Sequence, residues 1–77
     1  MPTEREVLEQ YVRQAERQVA TGERSIARQR QLVQQLEREG RDATEACELL
    51  QQFEKLQQAY LTDRDRLRDL LESSEQG

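Results

Sequence analysis

One stretch, Glu39-Gly40-Arg41-Asp42-Ala43-Thr44-Glu45, limits what this chain can fold into. It is the one place where a helix stop and a helix start stand side by side. Glycine takes the left-handed conformation that closes a helix at low cost, so Gly40 reads as the stop. Asp42 reads as the N-cap of a second helix, with Glu45 three residues on as the return half of a capping box. The sequence on either side is helical and heptad-patterned. The expected fold is therefore all-α, an antiparallel two-helix hairpin of coiled-coil type forming a single domain over 1–77. The expected boundaries are a first helix at 4–39, a turn at 40–42, a second helix at 43–73 and a frayed tail at 74–77.

The first helix opens on Thr3 as N-cap and Glu6 at the capping-box position, while Glu4 and Glu6 favour the positive end of the helix dipole. Its seam steps alternately by four and three. Val12, Val19, Ile26 and Val33 form one series, all β-branched, and Leu8, Ala15, Gly22, Gln29 and Leu36 form the other. Four matched heptads are a strong coiled-coil signal. Gly22 is the weak point, since glycine in a helix interior costs about 1 kcal/mol relative to alanine. The heptad phase does not change across it, so one continuous helix is expected.

The second helix carries Ala46, Phe53, Tyr60 and Leu67 at intervals of seven, flanked by Leu49, Leu50, Leu56, Leu70 and Leu71. A hairpin closing at 40–42 sets Leu36 against Ala46, Val33 against Leu49 and Leu50, Gln29 against Phe53, and Ile26 against Leu56. Further from the turn it sets Gly22 against Tyr60, Ala15 against Leu67, and Val12 against Leu70 and Leu71, and it leaves Val19 beside Asp63 and Arg64. Large residues then face small ones in several layers, as close packing requires. The stripe on the second helix is too wide for one neighbour. Two helices cannot surround their own seam, and Tyr11, Leu32, Leu49, Leu50, Leu56, Leu70 and Leu71 are the candidate partner or dimer interface. A second copy forming a homodimeric four-helix bundle is the expected remedy, and a helix of another protein is the alternative.

Few chemistries fit the remaining residues. There is no His, and Cys47 is the single cysteine, so a His/Cys metal centre within one chain and an intrachain disulfide are both excluded. The acids Asp63, Asp65 and Asp69 alternate with Arg64, Arg66 and Arg68 on a helical stretch. A calcium loop needs glycine and oxygen ligands at alternate loop positions, so a salt-bridged surface is the reading here. Tyr11 and Tyr60 have no catalytic company, and no phosphate loop or nucleophile–base set is present. The expectation is no enzyme, no cofactor and no small-molecule substrate.

Leu, Ile, Val and Phe number only 16, close to a disordered composition, but their periodic placement argues for a folded helix pair. The charge is uneven. Residues 1–41 hold eight Arg and seven acids, a balance of +1, and residues 42–77 hold four basic residues and nine acids, a balance of −5. Opposite trends in the two arms weakly favour a hairpin. Arg13, Arg17, Arg24 and Arg28 make one basic stripe on the first helix. A charged, solvated face is the plain reading of it, and weak nucleic-acid association is the alternative function, disfavoured by the net charge of −4. No apolar segment at the N-terminus suggests a signal peptide and no run approaches a membrane span, so a cytoplasmic, membrane-free protein is expected.

The stretch Ala15-Glu16-Arg17-Gln18-Val19-Ala20-Thr21-Gly22-Glu23-Arg24-Ser25-Ile26-Ala27-Arg28-Gln29-Arg30, followed by Leu36-Glu37-Arg38-Glu39-Gly40-Arg41-Asp42, resembles a family of short alphaproteobacterial helical-hairpin proteins. Asp63-Arg64-Asp65-Arg66-Leu67 extends the likeness into the second helix, so that it covers most of the chain. The resemblance implies a bacterial, cytoplasmic source. It implies no activity and carries over no functional residues. The function expected from the residues themselves is a non-enzymatic protein–protein interaction or self-assembly module.

Overall fold

The computed structural model describes residues 1–76 and consists of two helices, α1 at Glu4–Arg38 and α2 at Thr44–Gln76. α1 runs unbroken through Gly22. The two pack against each other as an antiparallel hairpin 58 Å long and 15–17 Å across. Cross-helix ion pairs give the direction, with Arg30 meeting Glu54 near the turn and Glu16 meeting Arg68 near the open end. Among the described residues no helix is long and apolar enough to cross a membrane.

Local chemistry sets the helix ends. Thr3 caps α1, its hydroxyl accepting from the Glu6 N–H at 3.1 Å. At the other end Gly40 takes φ +69°, its N–H donates to the Glu37 carbonyl at 3.1 Å, and the Arg41 N–H donates to the Leu36 carbonyl at 2.8 Å. That pair of bonds is a Schellman closure, and it requires the left-handed residue that glycine supplies. The start of α2 differs from expectation. The first helical bond runs from the Cys47 N–H to the Ala43 carbonyl, which makes Ala43 the N-cap. Asp42 stands one residue further out, where its Oδ1 accepts from the Thr44 N–H at 3.0 Å and from the Thr44 hydroxyl at 2.7 Å. Both bonds favour the ionised carboxyl and hold its pKa below the usual aspartate value. Glu45 thereby falls at the second helical position, not the third that a capping box uses. The helix also outlasts its expected end at residue 73: residues 74–76 continue α2, and Gly77 lies outside the described residues.

The seam of α1 is the one its heptads indicate, with Val12, Ala15, Val19 and Val33 as buried apolar residues and Leu8, Ile26 and Leu36 half-buried. The seam of α2 is narrower than its apolar stripe. Ala43, Ala46, Leu50, Phe53, Gln57, Tyr60, Arg64, Leu67 and Leu71 face α1, and none of them is exposed. Each leucine pair is therefore divided, with Leu50 and Leu71 turned inward and Leu49 and Leu70 outward. Leu56, expected against Ile26, is 50% exposed, and Gln57 holds the seam position beside it at 6% exposure.

Two buried glutamines correct the expected layers. Gln57 Nε2 donates to the Val19 carbonyl at 2.9 Å, and Gln29 Nε2 donates to the Ala46 carbonyl at 3.0 Å. A helical carbonyl lies close to the amide four residues on. These bonds accordingly put Gln29 level with Leu50 instead of Phe53, and Gln57 level with Gly22. The residue packed on Gly22 is thus Gln57 and not Tyr60, one turn earlier on α2. A Cβ built on Gly22 would collide with the Gln57 amide, whose Cδ would lie 2.7 Å away. Glycine at this position lets a polar side chain cross close to its Cα. The layer expected to be poor at Val19 is closed in the same way. Val19 is buried, its carbonyl takes the Gln57 amide, and Arg64 keeps only 23% of its side chain exposed while its guanidinium reaches Asp65 at 3.0 Å.

Candidate functional site

The two flanks of the hairpin differ. In an antiparallel pair each helix contributes one line of residues to either side of the seam. On one flank lie Glu16 and Arg30 of α1 and Glu54 and Arg68 of α2. Arg68 reaches Glu16 at 3.2 Å and Arg30 approaches Glu54 at 3.9 Å. Leu61 and Cys47 are half-buried on this side. Long charged side chains bridge the helices here and cover the apolar edge beneath them.

No bridge of that kind closes the opposite flank among the described residues. α1 places Tyr11, Gln18, Ser25 and Leu32 there, and α2 places Leu49, Leu56, Asp63 and Leu70, each set at intervals of seven. Tyr11, Leu32, Leu49, Leu56 and Leu70 are, apart from Met1, the exposed large apolar side chains of the described chain. They share one side of a molecule only 15–17 Å wide. Two grooves run end to end along it. One, of about 440 Å³, has Gly22, Ser25, Phe53, Leu56, Gln57 and Tyr60 among its lining residues. The other, of about 480 Å³, lies between Leu8, Tyr11, Leu67 and Leu70, and Gln14 and Gln18 border both. The Gln57 Oε1 beneath the first groove has no hydrogen-bond partner. It faces the Gly22 Cα, where a C–H contact is the remaining weak interaction open to it.

Of the residues singled out from sequence, Tyr11, Leu32, Leu49, Leu56 and Leu70 are brought together on this flank, while Leu50 and Leu71 belong to the intramolecular seam. The basic stripe is on the exposed side of α1, with Arg17 at the edge of the first groove. Arg24 donates to the Thr21 hydroxyl at 3.2 Å and Arg28 to the Ser25 hydroxyl at 3.5 Å, and Arg13, Arg17, Arg24 and Arg28 form no ion pair among the described residues. Two of the clustered acids are held by arginines, Asp63 by Arg66 at 2.7 Å and Asp65 by Arg64 at 3.0 Å. No group of three or more potential ligands is placed to hold a metal among the described residues. No protein-family model, curated protein or solved structure matches the chain. The arrangement itself offers a strip that is apolar at both ends, with Gln18, Ser25 and Asp63 beside Leu56 in its middle.

Sequence reasoning did not single out Gln18, Ser25 and Asp63 as members of this strip, nor Gln57 as a seam residue. The signal was present. Residues 49, 56, 63 and 70 repeat by seven as regularly as 50, 57, 64 and 71 do. Only the packing shows which of two adjacent lines faces α1.

Proposed function

We propose that this chain is a non-enzymatic protein–protein interaction module that packs its open flank against helices of a partner. The observation that carries the reading is the gathering of Tyr11, Leu32, Leu49, Leu56 and Leu70 on the flank that no cross-helix ion pair covers. Area agrees with it. The chain exposes 6032 Å², whereas a compact monomer of 9.1 kDa exposes about 4,900 Å². An excess of roughly 1,100 Å² compares with about 800 Å² covered per partner in an ordinary stable interface. That excess is total surface, polar and apolar together, exposed by an elongated hairpin.

The test compares wild type with the triple variant Leu32→Gln, Leu56→Gln, Leu70→Gln, whose changes all lie on solvent-facing positions. Light scattering reads self-association, and capture from native lysate reads foreign partners. Loss of either in the variant, with helicity retained, supports the module. A wild type that neither assembles nor captures anything beyond what the variant captures refutes it.

The second reading is weak nucleic-acid association, favoured by the absence of ion pairs at Arg13, Arg17, Arg24 and Arg28 among the described residues. Such binding rests on phosphate contacts and falls away between about 20 mM and 0.2 M salt. A mobility shift that survives about 0.2 M salt and disappears with Arg24→Glu and Arg28→Glu would displace the first reading.

A further inference from the structure

We infer that the occupant of the open flank is a second copy of this chain, paired with both turns at the same end so that α1 of each copy lies on α2 of the other. The inference rests on the interaction-module reading and adds to it the partner and its orientation.

The first support is size. The face is 58 Å long and 15–17 Å wide, on the order of 900 Å², which matches the roughly 800 Å² per partner of a stable interface. A single partner helix of ordinary length, about 12 residues or 18 Å, covers under a third of that length. A second hairpin covers all of it.

The second support is the order of side chains along the strip. Read from the open end toward the turn, the levels across the groove are Tyr11 with Leu70, Gln18 with Asp63, Ser25 with Leu56, and Leu32 with Leu49. They run apolar, polar, small-with-large, apolar. A two-fold axis along the hairpin lays every level on its own counterpart. Tyr11 then meets Leu70 of the second copy, Leu56 fills the space over Ser25 beside Gly22, and Leu32 meets Leu49. The Gln18 amide can donate to the second copy's Asp63 carboxylate, which brings Arg66 with it at 2.7 Å. The opposite orientation, with turns at opposite ends, exchanges the two middle levels. It sets each Asp63 carboxylate, still paired with Arg66, against Leu56 with no donor opposite it, which desolvates a polar group without a compensating hydrogen bond.

The third support is charge. α1 carries seven Arg against six acids, +1, and α2 carries four basic residues against eight acids, −4. Turns at the same end bring unlike helices together. Turns at opposite ends bring α2 against α2, with like net charge along the whole contact.

The experiment places one nitroxide spin label per chain at exposed tips, in a Cys47→Ser background. Arg41→Cys labels the turn and Glu4→Cys, in a separate protein, labels the open end. Circular dichroism confirms that each variant is helical. Neighbouring helices in a bundle lie about 8–10 Å apart, so pulsed electron paramagnetic resonance should give distances below about 35 Å at both tips, labels included. A distance near the 58 Å length of the molecule at either tip overturns the orientation. Absence of any dipolar coupling in a helical protein at high concentration overturns the second copy as occupant. The module reading then still stands or falls on its own lysate capture with the triple variant, so the two failures are separable.

Discussion

The sharpest consequence of the structure concerns Gly22. Helix propensity alone favours Gly22→Ala by about 1 kcal/mol. Against that gain, the new methyl would enter the space of the Gln57 amide, with Cδ at 2.7 Å and Nε2 at 3.3 Å from the ideal Cβ. The amide ends a flexible side chain, but it is tied to the Val19 carbonyl at 2.9 Å and is 6% exposed. Displacing it breaks that bond and leaves a buried amide without partners, a loss of about 1–3 kcal/mol. The net expectation is destabilisation by up to about 2 kcal/mol, or a fall in Tm of up to roughly 16 °C for a domain of this size. In a Gln57→Ala background the obstacle is gone, so the same Gly22→Ala change should stabilise by about 1 kcal/mol. The difference between the two backgrounds is a coupling of about 1–3 kcal/mol between the two positions. Urea denaturation of the four variants, followed by circular dichroism at one fixed protein concentration, measures it; fixing the concentration keeps any association from shifting apparent stability. If Gly22→Ala stabilises equally in both backgrounds, Gln57 does not lie on Gly22 and the level assignments built on that contact fail.

Other consequences follow from single contacts. Gly40→Ala should lower stability by about 1–2 kcal/mol through backbone strain alone, because φ is +69° and no atom lies within 4 Å of the added carbon; an unchanged denaturation midpoint would contradict the Schellman closure. Gln29→Leu should be neutral to stabilising within about 1 kcal/mol, since the Ala46 carbonyl keeps its helical partner and only the buried amide is removed; a larger loss of stability would show that the amide itself holds the two helices together. Asp42 has a lowered pKa in the folded chain, so its contribution is fully present above the unfolded value of 3.8 and is lost as pH falls through the folded value. The stability difference between wild type and Asp42→Ala should therefore be constant above about pH 5 and shrink below it, and a difference that does not change down to pH 2 would mean the Thr44 bonds do not depend on the charge.

The chain's local physics was legible residue by residue. Thr3 capping α1, Gly40 closing it, and the alternation of Val12, Ala15, Val19 and Val33 follow from backbone hydrogen-bonding needs and from a period that only one helical face can satisfy. Those causes act within a few residues of each other, so one strand of sequence contains them. The apolar flank was legible in part, since Tyr11, Leu32, Leu49, Leu56 and Leu70 could be recognised as more than two helices can cover. The choice between Leu49 and Leu50, Leu56 and Gln57, or Leu70 and Leu71 was not, because adjacent positions differ by only 100° around a helix and both lines repeat by seven. Apolar character even pointed the wrong way at 56–57, where Leu56 is outside and Gln57 inside. Tertiary structure decided that point for a reason no pattern carries. Gly22 leaves a gap on α1 and a carbonyl at Val19 beside it, and a glutamine reaching from α2 satisfies both the space and the hydrogen bond. With Gln57 held there, α2 is fixed in rotation, and the leucines one position earlier are turned out to form the open flank.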